Sequence, residues 1–210
     1  MFYLLFLMVL SIPCDGQNAD TGNQPLINAQ IYSSMFVRRR EEHKTLLDHF
    51  QRTEKYDRKF KLLEIGINQI LAILRENRPK LVQENYSTSG FPKTSNMIDA
   101  LTLVVENTCL IGDLILHMPD LSDKILSKDN DWKETLNWAV QFTVGVHDVV
   151  DPKTRKMLSL VDQEINVERR TSDYINPYRE IEQPSAKKRS KEKKKLKKGP
   201  QLRSAGRTEL

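Results

Sequence analysis

Cysteine is nearly absent from this chain: two occur in 210 residues, Cys14 and Cys109. Cys14 lies in an N-terminal segment expected to be removed, and the thiol that remains cannot close an internal disulfide. The fold must therefore stand on its apolar core, without covalent staples. Glycine is also scarce, at 8 residues, and neither a Gly-rich phosphate loop nor a G-x-S-x-G nucleophile turn is present. The four histidines, His43, His49, His117 and His147, show no H-E-x-x-H pattern and no clustered metal-ligand spacing. Cys109 sits among apolar residues, where a free thiol is ordinarily inert packing, and no activating partner is visible in the sequence. No enzyme, metal or cofactor is expected. Apolar runs of about 18 residues or more are missing too, so no membrane span is expected.

What is there begins with the apolar run Phe2 to Ile12. It is too short to span a hydrocarbon core of roughly 20 helical residues. It suits the core of a secretory signal peptide over residues 1–16, although no Lys or Arg precedes it. Cys14 at −3 and Gly16 at −1 place the cut before Gln17, with a cut after Ala19 as the alternative. The roughly 190 residues that follow suffice for one domain with a sizeable core.

The net charge of +5 misleads until it is divided. Residues 186–210 hold eleven Lys and Arg against two acidic residues, a balance of +9, which leaves −4 for residues 1–185. The basic character sits in a tail carrying Lys187, Lys188, Arg189, Lys191, Lys193, Lys194, Lys195, Lys197 and Lys198. A basic groove built into the folded body is not expected. Such a tail cannot bury anything and is expected to be disordered. It lacks aromatic residues for base stacking, so direct nucleic-acid binding is not expected. Acidic protein segments or anionic lipid headgroups are the alternative contacts. Its end, Arg207-Thr208-Glu209-Leu210, is similar to a retrieval tag of the endoplasmic reticulum. Arg207 replaces the usual Lys, Glu209-Leu210 is intact, and Thr208 stands where an acidic residue is commonest. Weakened retention is expected.

Between the ends, helical periodicity dominates. Tyr56, Phe60, Leu63, Ile67, Ile70 and Leu74 are spaced 4, 3, 4, 3, 4, one stripe on a helix. An earlier helix is expected through Ile31, Met35, Leu46, Leu47 and Phe50, crowded by the charges of RRREEHK. Pro79 is expected to end or kink the second helix near Arg78. The polar segment from Asn85 to Asn96 is a loop, and Ser95 is placed to cap a third helix ending near His117. That helix carries Ile98, Leu101, Val105, Thr108 and Ile115, widened by Val104, Leu110, Ile111 and Leu114. It is apolar nearly all round, which makes it the centre of a bundle. A short helix from Leu121 to Ser127 and another starting at Asn130 or Asp131 follow. Asp151-Pro152, a cap and a first-turn proline, opens the last. The expected architecture is all-α: a single bundle of five or six helices over 27–168, preceded by a flexible 17–26. Residues 169–185 are expected to lie extended on the bundle, ahead of the tail.

At Leu103 to Asp113 the chain reads LVVENTCLIGD, followed by LILHMP. This string resembles the coiled-coil domain-containing protein 134 family. The helix KFKLLEIGINQIL, the tryptophans ahead of the fifth helix, NPY at Asn176 to Tyr178 and the Lys-rich tail agree with the likeness, which covers roughly residues 26–210. Within the string, Val104, Val105, Glu106, Asn107, Thr108, Gly112 and Asp113 are the candidate structural or binding positions. The resemblance implies an adapter in the lumen of the endoplasmic reticulum. It would tether endoplasmin to the translocon and the oligosaccharyltransferase and so protect it from excess glycosylation. It also implies, as alternatives, a secreted cytokine-like form that damps mitogen-activated kinase signalling, and a nuclear transcriptional-adaptor partner. Partial secretion alongside lumenal residence is expected, and the retrieval receptor is a further partner.

Asn85-Tyr86-Ser87 is an N-glycosylation sequon in the clearest loop. Asn107-Thr108-Cys109 matches only a rare variant and lies mid-helix. Digestion with N-glycosidase of the protein expressed in eukaryotic cells is expected to shift its mobility by one glycan. An unshifted band would mean that Asn85 is unmodified or that the chain never reached the lumen.

Overall fold

The computed structural model describes residues 27–83 and 90–179. Among them are six α-helices, one 3-10 turn and no strand: α1 (Ala29–Arg52), α2 (Tyr56–Gln83), α3 (Ser95–His117), α4 (Pro119–Leu126), α5 (Trp132–Gly145), α6 (Pro152–Ile165) and the turn Val167–Arg169. None of these helices is long and apolar enough to cross a membrane. The all-helical expectation is met.

Local chemistry sets the starts of the first and last helices. Asn28 Oδ1 accepts from the Ile31 amide at 2.9 Å and starts α1. Asp151 Oδ1 accepts from the amides of Lys153 and Thr154, both at 3.0 Å, and Pro152 occupies the first position of α6. Three expectations are corrected. Ser95 does not cap α3; it is the first helical residue, because the Thr94 carbonyl already accepts from Ile98 at 3.0 Å. Pro79 does not end α2. The helix continues to Gln83, with Leu81 buried in the core beyond the proline. Packing outweighs the amide that proline lacks. The tryptophans lie within the fifth helix and not ahead of it, since Trp132 is its first residue.

The stripe of α2 is the core face: Leu63, Ile67, Ile70 and Leu74 are fully buried, while Phe60 is half-buried. The centre, however, is α3. Every residue from Asn107 to Leu116 is buried, nearly three turns with no solvent side. All five other helices pack against it, α2 most extensively. Close approach to α6 depends on Gly112. A Cβ there would lie 3.0 Å from Val161 Cγ2 and 3.3 Å from Met157 Sδ.

Replacing Gly112 with Leu is therefore expected to push α6 away and destabilise the bundle by about 1–3 kcal/mol, as overpacked cores do. Thermal unfolding followed by circular dichroism measures it. An unchanged midpoint would mean that α6 does not need this contact.

Candidate functional site

The surroundings of Glu106 and Asp113 concentrate the buried charge of the molecule. Being seven residues apart, the two carboxylates lie on one side of α3, separated along its axis by about 10 Å. Each faces one of two consecutive arginines of α1. Arg40 donates from both terminal nitrogens to Asp113, at 2.5 and 3.1 Å, and the two side chains keep only 13% and 11% of their surface. Arg39 reaches Glu106 with Nε at 2.9 Å and also pairs with Glu42 at 2.5 Å. The Arg39–Glu106 approach lacks the alignment of a hydrogen bond, since Arg39 Nε finds no acceptor in good geometry.

His43 completes the cluster from the next turn of α1. Its Nδ1 lies 3.1 Å from Arg40 Nη1. A guanidinium can only donate, so Nδ1 must be the unprotonated nitrogen. Burial, then the fields of Arg40 and Arg39, hold this imidazole well below its usual range, and it is neutral at pH 7. Burial works against the charge of Arg40, but the bonds from Asp113 and nearby negative groups reverse this and raise its pKa. Cys109, fully buried one turn before Asp113, is pushed up to about 12 by burial and stays a neutral thiol. It is no nucleophile at neutral pH.

The rest of the recognised string is interior as well. Val104 and Val105 are fully buried. Asn107 Nδ2 donates to the Leu103 carbonyl at 2.8 Å and Thr108 Oγ1 to that of Val104 at 2.6 Å, both folding back on their own helix. Buried in this way, Asn107 offers no acceptor for a glycan. The string thus holds the bundle together and presents almost no surface to a partner. The NPY segment has a matching task at the end of α3. Asn176, itself buried, donates from Nδ2 to the Leu116 carbonyl at 2.8 Å, and Ser122 Oγ donates to that of Leu114 at 3.2 Å. Tyr178 stacks on His117 with ring centroids 4.0 Å apart. Asn176 thereby satisfies a carbonyl that the helix end leaves open, while Ser122 adds a second donor to the Leu114 carbonyl, which already accepts from the Met118 amide at 2.9 Å.

A second set of pairs ties α2 to the α4–α5 junction. Arg75 donates to both oxygens of Asp129, at 2.8 and 2.6 Å, and Arg78 donates to Glu134 at 2.8 Å while lying 5.4 Å over the Trp138 ring. No group of three or more His, Cys, Asp or Glu suited to a metal occurs among the described residues. Gly16, Gln17, Asn85, the lysines from Lys187 to Lys198 with Arg189, and Arg207 to Leu210 lie outside the described residues. Sequence reading missed Arg39, Arg40 and His43 as partners of the string. The signal for them was present: Glu106 and Asp113 fall within the most apolar stretch of the helix, where carboxylates demand cations from elsewhere.

A family model described as an inhibitor of the ERK and JNK pathways matches residues 17–203. Similar proteins include coiled-coil domain-containing protein 134 of Xenopus tropicalis, 25% identical over 180 residues, which span 84% of this chain and 77% of the relative. The protein of that name from Mus musculus is 26% identical over 153 residues, 71% of this chain and 66% of the relative. The chain belongs to this family. No solved structure matches it. In this member, the string Leu103–Asp113 is what α1 and α6 grip.

The pairing has a measurable pH signature. Burial raises Glu106 to about 7, with Arg39 pulling the other way, whereas an unfolded glutamate titrates near 4.5. Between these values the folded state holds the extra proton, so this residue's contribution is full below pH 4.5 and is lost as the pH rises through 7. A Glu106→Gln variant cannot ionise. Its melting temperature is expected to gain on that of the unsubstituted protein as the pH rises from 5 to 8. A variant that loses ground over that range would show that the carboxylate–Arg39 pair is stabilising outright.

Proposed function

We propose that this chain is a protein-binding adapter of the endoplasmic reticulum lumen that engages endoplasmin close to the translocon and the oligosaccharyltransferase. The observation that carries the adapter reading is the placement of its reactive groups. Cys109 and His43 are sealed in the core beside Arg40 and Asp113, which hold helices together. Such a bundle acts through its surface. The lumenal address is supported by the apolar run Phe2 to Ile12, the sequon at Asn85 and the terminal Arg207-Thr208-Glu209-Leu210. The choice of endoplasmin as partner is supported by the family likeness. Proximity labelling from the full chain in living cells is the direct test. Enrichment of endoplasmin and translocon subunits is the expected result, and their absence from the labelled set would refute the partner assignment.

A second reading is favoured by the family description, an inhibitor of the ERK and JNK pathways. In that reading a secreted fraction damps signalling from outside the cell. Retention separates the two. Thr208→Asp restores the acidic position of the retrieval tag and is expected to lower the amount of protein in the medium, while masking Leu210 with a tag raises it. If signalling is damped only by the masked, secreted form, the factor reading holds; if endoplasmin is protected only by the retained form, the adapter reading holds. Secretion indifferent to both changes would remove the retrieval signal from either account.

A further inference from the structure

The start of α2 carries a surface that neither the buried pairs nor the string employs. Tyr56 is 54% exposed and stacks on Phe60 with centroids 6.2 Å apart. Lysines from the α4 side stand over both rings: Lys124 Nζ is 5.9 Å from the Tyr56 centroid and Lys128 Nζ 4.8 Å from that of Phe60. Beside them runs an open groove of about 580 Å³ lined by Lys55, Tyr56, Asp57, Arg58, Lys61 and Leu62. A smaller one of about 310 Å³ continues it past Phe60.

The groove gathers cations that the ion pairs do not use. Lys55, Arg58 and Lys61 are exposed, and none of them makes an ion pair among the described residues. Lys128 is paired with Glu64 at 2.6 Å, and Lys124 leans on the ring. Asp57 is the one acidic residue in the lining. The amides of the first turn of α2 add partial positive charge at the same end. The division of net charge argued against a basic groove in the body. That balance is an average over the surface, and the fold gathers lysines from two distant segments at one spot.

We propose that this groove docks an acidic segment of a partner protein. An apolar side chain of the segment sits against Tyr56 and Leu62, and flanking carboxylates meet Lys55, Arg58 and Lys61. Charge complementarity selects an acidic occupant, and the exposed tyrosine supplies the anchor that interface centres favour. A nucleic-acid strand is the poorer fit. Sequence-tolerant binding of a strand relies on several bases stacking on successive aromatic faces, and here Tyr56 is the one exposed ring, stacked on Phe60.

The test uses the full mature chain and a fluorescein-labelled peptide of glutamates around a central Phe-Leu pair, read by anisotropy at physiological salt. The tail is also basic, so the variant Lys55→Glu/Arg58→Glu/Lys61→Glu is compared with Lys153→Glu/Lys156→Glu on the exposed side of α6. All of these positions are exposed, and circular dichroism checks that both variants keep their helices. The groove variant is expected to bind about tenfold more weakly or worse, and the α6 variant to change by less than about twofold. Tyr56→Ala, or Phe-Leu replaced by Ser-Ser in the peptide, should weaken binding without any change of charge. Equal loss in the two charge variants, or loss in neither, would place the peptide on the tail and overturn the proposal. So would an oligothymidine that binds in place of the peptide and is lost with the groove variant. A dimer that the groove variant dissolves, seen by sedimentation, would assign the surface to a second copy and overturn it as well.

Discussion

Two carboxylates on the enclosed stretch of α3, Glu106 and Asp113, dictate where α1 must lie. Glu106 and Asp113 cannot be buried in α3 without cations, and consecutive arginines at the middle of α1 supply them. Breaking such a pair leaves a buried charge uncompensated, at a cost of about 3–5 kcal/mol, so the arrangement is far more specific than a greasy contact. With α1 held on one side and α6 admitted closely at Gly112 on another, α3 is enclosed and the remaining helices complete the shell. The donation from Asn176 to the Leu116 carbonyl then follows, because a buried carbonyl at a helix end needs a donor.

The same cluster gives the core opposing responses to pH. A glutamate raised by burial favours the fold at lower pH. A neutral buried histidine does the reverse: His43 keeps no proton in the fold but takes one when unfolded, so its contribution is lost as the pH falls below 6.5. These slopes oppose one another between about 4.5 and 6.5.

The recognised string Leu103–Asp113 and the groove proposed for docking occupy different layers of the fold. The string that carries the resemblance is interior, where volume, close approach and charge pairing leave few alternatives at each position. The groove at the start of α2 is exposed and built from residues whose individual substitution costs the fold little. The family match spans residues 17–203 and so takes in both the string and the groove.

Much of the bundle was legible in the chain. The 3–4 spacing from Tyr56 to Leu74, the all-round apolarity of α3 and the Asp151-Pro152 start each act through near neighbours, and each element formed there. Pro79 was misjudged because a local rule met a distant contact: Leu81 is buried, and that anchors the helix past the proline. The pairing of Arg39 with Glu106 and Arg40 with Asp113 spans 67 and 73 residues, and Lys124 and Lys128 come from far along the chain to stand over Tyr56 and Phe60. No window of sequence contains both halves of such contacts. By itself the sequence determined which segments are helical and which faces are apolar, because those depend on residues a few positions apart. Only the tertiary structure decided that the charges of α1 turn inward and that lysines collect beside two aromatic rings, because direction and proximity exist only once the helices have packed.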